Sequence, residues 1–196
     1  MDTFEKFAQS VMQCCRDTPG IEGFTIAQQA QSIADFLFSH SECKILGEVG
    51  FNIGMSSAIM LSVRPDTTVY SFDLFEKTYS LRQKRMIDSL YPGRHLVLTG
   101  DSTQTIPLLH KISPTPMFDF VFIDGGHEHP VPELDINNFL ALLKPGGYMC
   151  VDDYCESWGT RGVIFAYDTA VKDGKLIHLS THSHEDRGWV FAQKPA

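Results

Sequence analysis

The chain has 196 residues, a formal net charge of −8 and 43% hydrophobic residues, with 14 phenylalanines among them. That length fits one domain able to bury a sizeable core. The acidic balance argues against a nucleic-acid partner, which would need a basic stripe. The one basic cluster, residues 77–85 with Arg82, Lys84 and Arg85, reads as a solvated helix face. No apolar run approaches the roughly 18 residues needed to cross a bilayer. Acids stand within the first five positions, so a soluble, cytoplasmic protein with no membrane partner is expected. Five cysteines (Cys14, Cys15, Cys43, Cys150, Cys155) show no metal-ligand spacing and suit reduced thiols.

In chain order, residues 1–44 read as a helical preface. Phe4, Phe7, Ala8 and Val11 recur at helical spacing until Pro19-Gly20 breaks the pattern. A second helix follows Thr25, taken as its N-cap, with Ile26, Ala30, Ile33, Ala34 and Leu37 on one face. From Lys44 onward short apolar runs at 44–49, 68–72, 95–99, 118–123 and 147–151 alternate with helix-length stretches such as 56–63 and 134–143. Strand alternating with helix predicts a parallel sheet covered on both faces. The end differs: runs at 175–180 and 188–193 are joined by the polar segment 181–187, too short for a crossover helix. The fold expected is α/β and Rossmann-like, seven-stranded and mostly parallel, with an antiparallel last strand and a short helical preface, all in a single domain over 1–196.

The stretch Glu48-Val49-Gly50-Phe51-Asn52-Ile53-Gly54-Met55-Ser56-Ser57 follows the first core strand and opens a helix. Glycine suits a tight turn against which a ligand approaches closely, and the helix N-terminus offers unpaired N–H groups to which Ser56 adds a hydroxyl. A dinucleotide loop carries G-x-G-x-x-G. Here the pattern is acid-x-Gly-x-x-x-Gly, and Glu48 would repel a pyrophosphate but suit a cationic amine. Taken alone, a glycine turn without a ligand explains it equally well. Asp73, at the end of the second strand, can accept both hydroxyls of a ribose or cap the next helix. Together the two features point to a nucleoside with a positively charged headgroup.

At this point the chain resembles the class I S-adenosylmethionine-dependent methyltransferases, over roughly residues 25–194. The resemblance implies S-adenosylmethionine as cofactor and cofactor contacts at Thr25, Glu48, Gly50, Phe51, Asn52, Gly54, Ser56, Asp73 and Asp124. It extends to Gly100-Asp101-Ser102, which in the family flanks the adenine. Leu143-Lys144-Pro145-Gly146-Gly147 is common across the class.

Two further strands end in acids: Phe120-Val121-Phe122-Ile123-Asp124-Gly125-Gly126-His127, and Tyr148 to Val151 followed by Asp152-Asp153-Tyr154. In a parallel sheet both carboxyl ends lie on one edge, where ligands bind. Asp124, Asp152 and Asp153 would repel one another unless a cation or shared protons compensate, and all-oxygen ligation favours a hard ion such as Mg²⁺. Capping of the following turns is the alternative. The Asp-Asp-Tyr run resembles the cation-dependent small-molecule O-methyltransferases, nearer the macrocin and sugar type than the catechol type, which usually has Asp-Asn.

On that reading a methyl group passes in line to a hydroxyl of a small molecule. Asp124 serves both cofactor and metal, and His127 is the general base, its ordinary pKa lying near working pH. A structural histidine in the turn is the alternative for His127, and His129 is a weaker base. In some relatives an Asp stands two after the first metal Asp, where this chain has Gly126. Trp158, Arg161, Tyr79 and Arg82 are candidate pocket residues, and His182 and His184 belong to a solvated hairpin tip. Metal-independent N- or O-methylation and a non-catalytic cofactor-binding module are the competing readings. Homodimers are common in such families, so a second copy is an implied partner.

Overall fold

A computed structural model describes residues 3–18, 21, 25–115, 117–156 and 159–196. Seven strands, β1 (Ile45–Val49), β2 (Thr68–Asp73), β3 (His95–Thr99), β4 (Phe118–Ile123), β5 (Leu143–Val151), β6 (Ile177–His184) and β7 (Arg187–Gln193), form one sheet of order β3-β2-β1-β4-β5-β7-β6. Pairings from β3 through β5 are parallel, whereas β7 runs antiparallel to both β5 and β6. The Rossmann-like, mostly parallel sheet with a reversed last strand is therefore as expected. Its order reverses at β1, between β2 and β4, which is where open α/β sheets leave a crevice.

The helices are α1 (Thr3–Asp17), α2 (Ala27–Ser39), α3 (Met55–Val63), α4 (Thr78–Leu90), α5 (Ser102–Ile112), α6 (Val131–Leu142) and α7 (Arg161–Lys172). Alternation along the strands sorts the core into two layers. In β4, Phe120 and Phe122 join Ile33, Leu37 and Ile87 from α2 and α4. Val121 and Ile123 face Ile106, Ile136, Phe139 and Val163 from α5, α6 and α7. Gly47 in β1 keeps the second layer close, since a Cβ there would meet the Phe139 ring at 2.8 Å.

Three local expectations change. Ile26, in extended backbone and with no side-chain cap, precedes α2 in place of Thr25, which is buried. The hairpin turn is only Glu185 and Asp186, so β6 and β7 extend through the segment read as a polar tip. His182 and His184 are strand residues, and His182 stacks on Trp189 at 5.9 Å. Trp158 lies outside the described residues. Cys14, Cys43, Cys150 and Cys155 are free thiols. Among the described residues no helix is long and apolar enough to cross a membrane.

Candidate active site

The loop after β1 is shaped by glycine. Gly50 has φ +89°, and a Cβ there would run into the Asp124 carbonyl oxygen. Gly54 has φ +74° and stands at the start of α3, its missing side chain replaced by the Phe51 ring and Ile87. Asp73 ties this loop down: Phe51 N and Asn52 N donate to its Oδ2 at 2.8 and 3.0 Å, and Phe75 N donates to its Oδ1 at 2.6 Å. Tyr79 Oη donates to Asn52 Oδ1 at 2.9 Å. The helix-capping alternative for Asp73 does not hold, because Lys77 precedes α4. Asp101 is the acid that caps, taking Thr103 N at 2.9 Å and Thr103 Oγ1 at 2.7 Å on Oδ1.

Glu48 turns away from the crevice. It is fully buried, and its carboxylate accepts Ser56 Oγ at 2.7 Å, Ser71 Oγ at 2.5 Å and the Ser57 hydroxyl. Burial pushes its pKa up to about 7 against the three hydroxyls that lower it.

The other acids gather past the ends of β4 and β5. One ligand atom from each of Asp124, His127 and Asp153 lies within 4.8 Å of the others. His127 Nε2 is 2.6 Å from Asp153 Oδ2. Asp153 sits at φ +58°, and its N–H is held by Asp152 Oδ1 at 2.8 Å. Burial, then the charges of Asp152, Asp153 and Glu48, raises Asp124 well above the carboxylate range, opposed by Arg187. Burial and Asp153 push Asp152 to about 6, with Gln29, the Asp153 N–H and Arg187 pulling the other way. The bond to Asp153 raises His127 against its own burial. Among these residues a divalent cation would find two carboxylates and an imidazole in one reach, with Asp152 alongside. The oxygens suit Mg²⁺, and the nitrogen extends the choice toward transition metals.

One cavity of about 830 Å³ runs along this edge of the sheet. In sheet order its wall takes Asp101 and Ser102 after β3, Asp73 after β2, Gly50 after β1, Asp124 and His127 after β4, Asp152 and Asp153 after β5, and Arg187 from β7. Asn52 and Tyr79 line it too. Five residues singled out from the sequence, Thr25, Glu48, Phe51, Gly54 and Ser56, do not line it; Glu48, Phe51, Gly54 and Ser56 stand behind the loop wall or shape it. Arg161 opens α7 and does not line the cavity, whereas its neighbour Thr160 does. Arg82 is on the surface, 3.9 Å from Asp17.

The sequence reading missed Arg187 and Asp135 and named Thr160 only as part of the stretch 158–162 that could line the pocket. Arg187 was legible in principle: a strand reversed against β5 must begin at the edge where β5 ends, and Val190 pairs with Val151. Asp135 is fully buried in α6 behind Gly125, raised by burial to about 6 with the Ser102 hydroxyl opposing.

Residues 48–154 match the model of a family described as "Methyltransferase domain". The chain belongs to that family. The match covers more than half of the sequence and spans every strand end from Glu48 to Asp153. No curated protein matches. Among solved structures, an O-methyltransferase from Bacillus cereus in complex with S-adenosylhomocysteine is similar at TM-score 0.78 and 16% identity, over 99% of this chain and 91% of that one. The O-methyltransferase TomG from Streptomyces achromogenes, involved in tomaymycin synthesis and bound to S-adenosylmethionine, gives 0.76 and 17% over 100% and 91%. The methyltransferase PaMTH1 from Podospora anserina gives 0.78 and 13% over 100% and 89%. The resemblance to class I S-adenosylmethionine-dependent methyltransferases thus holds at the level of family and fold, and the protein is a methyltransferase.

Proposed function

We propose that this methyltransferase moves the methyl group of S-adenosylmethionine onto a hydroxyl of a small molecule, with a divalent cation held at Asp124, Asp152 and Asp153. The observation that carries the reading is the single cavity joining a half suited to a nucleoside to a half crowded with acids. In the first half, Asp73 lines the cavity with Oδ2 filled by the Phe51 and Asn52 N–H groups and Oδ1 taking Phe75 N, which leaves Oδ1 one lone pair for a ribose hydroxyl. Asp101 and Ser102 offer the adenine an edge beside the N-terminus of α5. In the second half, burial and like charges act on Asp124, and Arg187 opposes them, which favours a cation as the missing partner. The three neighbours, bound to S-adenosylmethionine or S-adenosylhomocysteine, support the nucleoside half by analogy of fold.

A bound divalent cation would lower the pKa of an acceptor hydroxyl and orient it. The chain's own residues do the rest. Gly50 and the Asp73-bound loop set where the sulfonium can sit, and that alignment is most of what an in-line transfer needs. His127 stands next to Asp153 at the cavity wall, placed to take the acceptor proton on Nε2. Nε2 is the nitrogen bonded to Asp153, so it accepts that proton only when the bond to Asp153 is open.

Calorimetry with S-adenosylhomocysteine tests the cofactor half. One site is expected, weakened about tenfold or more in Asp73→Ala, where a charge-assisted hydrogen bond to the ribose is lost along with the carboxylate that holds the loop. Absence of heat with the native chain overturns it. A screen of phenolic and sugar acceptors for homocysteine-product release, with Mg²⁺ and with a chelator, tests the rest. Turnover indifferent to the chelator would leave methyl transfer standing and remove the cation.

A further inference from the structure

Behind the loop lies a buried polar chain that the reaction scheme does not use. Glu48 on β1, Ser56 and Ser57 in the first turn of α3, Ser71 on β2 and His95 on β3 are each at most 5% exposed. His95 Nε2 lies 2.7 Å from Ser71 Oγ and 3.2 Å from Ser57 Oγ. Ser71 has one hydroxyl proton, and above about pH 7, where Glu48 is ionised, that proton goes to the carboxylate. The contact to His95 is then His95 Nε2–H donating to Ser71 Oγ. Its other nitrogen, Nδ1, is buried with no hydrogen-bond partner among the described residues, so Nε2 is the nitrogen that matters. Burial and Lys84 hold the ring neutral, its pKa pushed down to about 3, as a single donor requires. The face of the same ring stacks on Phe51, centroids 5.2 Å apart at 26°.

His95 therefore meets the glycine loop twice. Its edge reaches Glu48 through Ser71, and Glu48 pins both serines that follow Gly54. Its face backs Phe51, whose N–H is the first donor to Asp73. We propose that His95 is a positioning residue for cofactor binding: through the Ser71–Glu48 link and the Phe51 stack it fixes residues 50–57 in the arrangement that receives the ligand. This rests on the reading that the cavity takes S-adenosylmethionine. A ring that only fills space in the core would do so without its N–H, and that difference is testable.

The experiment is calorimetric titration of the full chain with S-adenosylhomocysteine, with thermal melting recorded on the same samples. His95→Phe keeps a ring against Phe51 and removes the donor, and His95→Gln returns an N–H near the Nε2 position. Expected are affinity about tenfold weaker in His95→Phe, recovery to within about twofold of native in His95→Gln, and a fall in melting from the lost buried hydrogen bond that does not track the affinity across the variants. Ser71→Ala breaks the same link from the other side and should show the same loss, which keeps the proposal open to refutation if His95→Phe does not fold. Native affinity in His95→Phe or in Ser71→Ala overturns the proposal. So does a loss that follows the melting temperature across all variants, which would make His95 a packing residue. If the native chain gives no heat, the cofactor reading fails and takes the proposal with it, a result unlike either of the others.

Discussion

Glu48 and Asp124 belong to neighbouring strands, and burial raises both. Glu48 pairs in register with Phe122, so Asp124 lies two positions further along the same edge. That offset of two residues decides what each can do. Glu48 is still inside its strand, beneath the first turn of α3, where three hydroxyls reach its carboxylate and water does not. Asp124 is past the end of β4, in the cavity wall, where the neighbouring charges that act on it are three carboxylates against Arg187. A buried acid whose partners come from its own chain is a strut. One surrounded by like charge and open to a cavity is a site in need of a ligand.

The largest effect expected from this contrast falls on Asp124. Asp124→Asn keeps the shape and removes the charge, so turnover should fall on the order of 10²- to 10³-fold, several kcal/mol of lost charge stabilisation. The fold should survive, because the native carboxyl is itself held toward its neutral form. Melting with and without Mg²⁺ checks the assignment: the cation should stabilise the native chain by mass action and leave the variant unmoved. Equal stabilisation of both chains would mean that the cation binds elsewhere.

Glu48 should show its effect in stability and not first in turnover. A carboxyl raised from 4.5 to about 7 on folding keeps a proton that the unfolded chain gives up. Its contribution is full below about pH 4.5 and is lost as pH rises through about 7. At about 1.4 kcal/mol per pH unit, roughly 3 kcal/mol is at stake. Urea unfolding between pH 4.5 and 8 should give a falling stability for the native chain and a visibly flatter curve for Glu48→Gln. Asp124, Asp135 and Asp152 add slope of the same sign, so the difference between the two chains isolates Glu48. Identical slopes would sink the claim that Glu48 is a dry strut.

Alternating apolar runs and helix-length segments made the sheet legible, since side chains such as Phe120 and Val121 must face opposite layers whatever else is true. The acids at strand ends were legible as a group because a parallel sheet sends them all to one edge. Which of them face the cavity was not. An acid one residue inside a strand and another one residue past it look alike in one dimension. Ser71, which claims Glu48, and His95 behind it come from β2 and β3 and carry no motif. Arg187 was hidden by the hairpin: a polar run of seven reads as a loop, yet five of those residues pair in β6 and β7 and leave a turn of two. Thr25 has the right chemistry for a cap, but chain geometry gave that position to Ile26.

Asp101 falls between the two kinds of acid and should show the smallest effect. One carboxylate oxygen is occupied by Thr103, capping α5, while the residue itself is exposed and lines the cavity. Cap and ligand roles can be separated by substitution, because asparagine caps as well as aspartate and alanine does not. Asp101→Ala should lower stability by about 1 kcal/mol, whereas Asp101→Asn should leave melting near the native value. Both should bind S-adenosylhomocysteine more weakly if the free oxygen meets the adenine amine. If only the alanine variant binds weakly, Asp101 acts by holding the start of α5 in place, and in this respect it belongs with Glu48, not with Asp124.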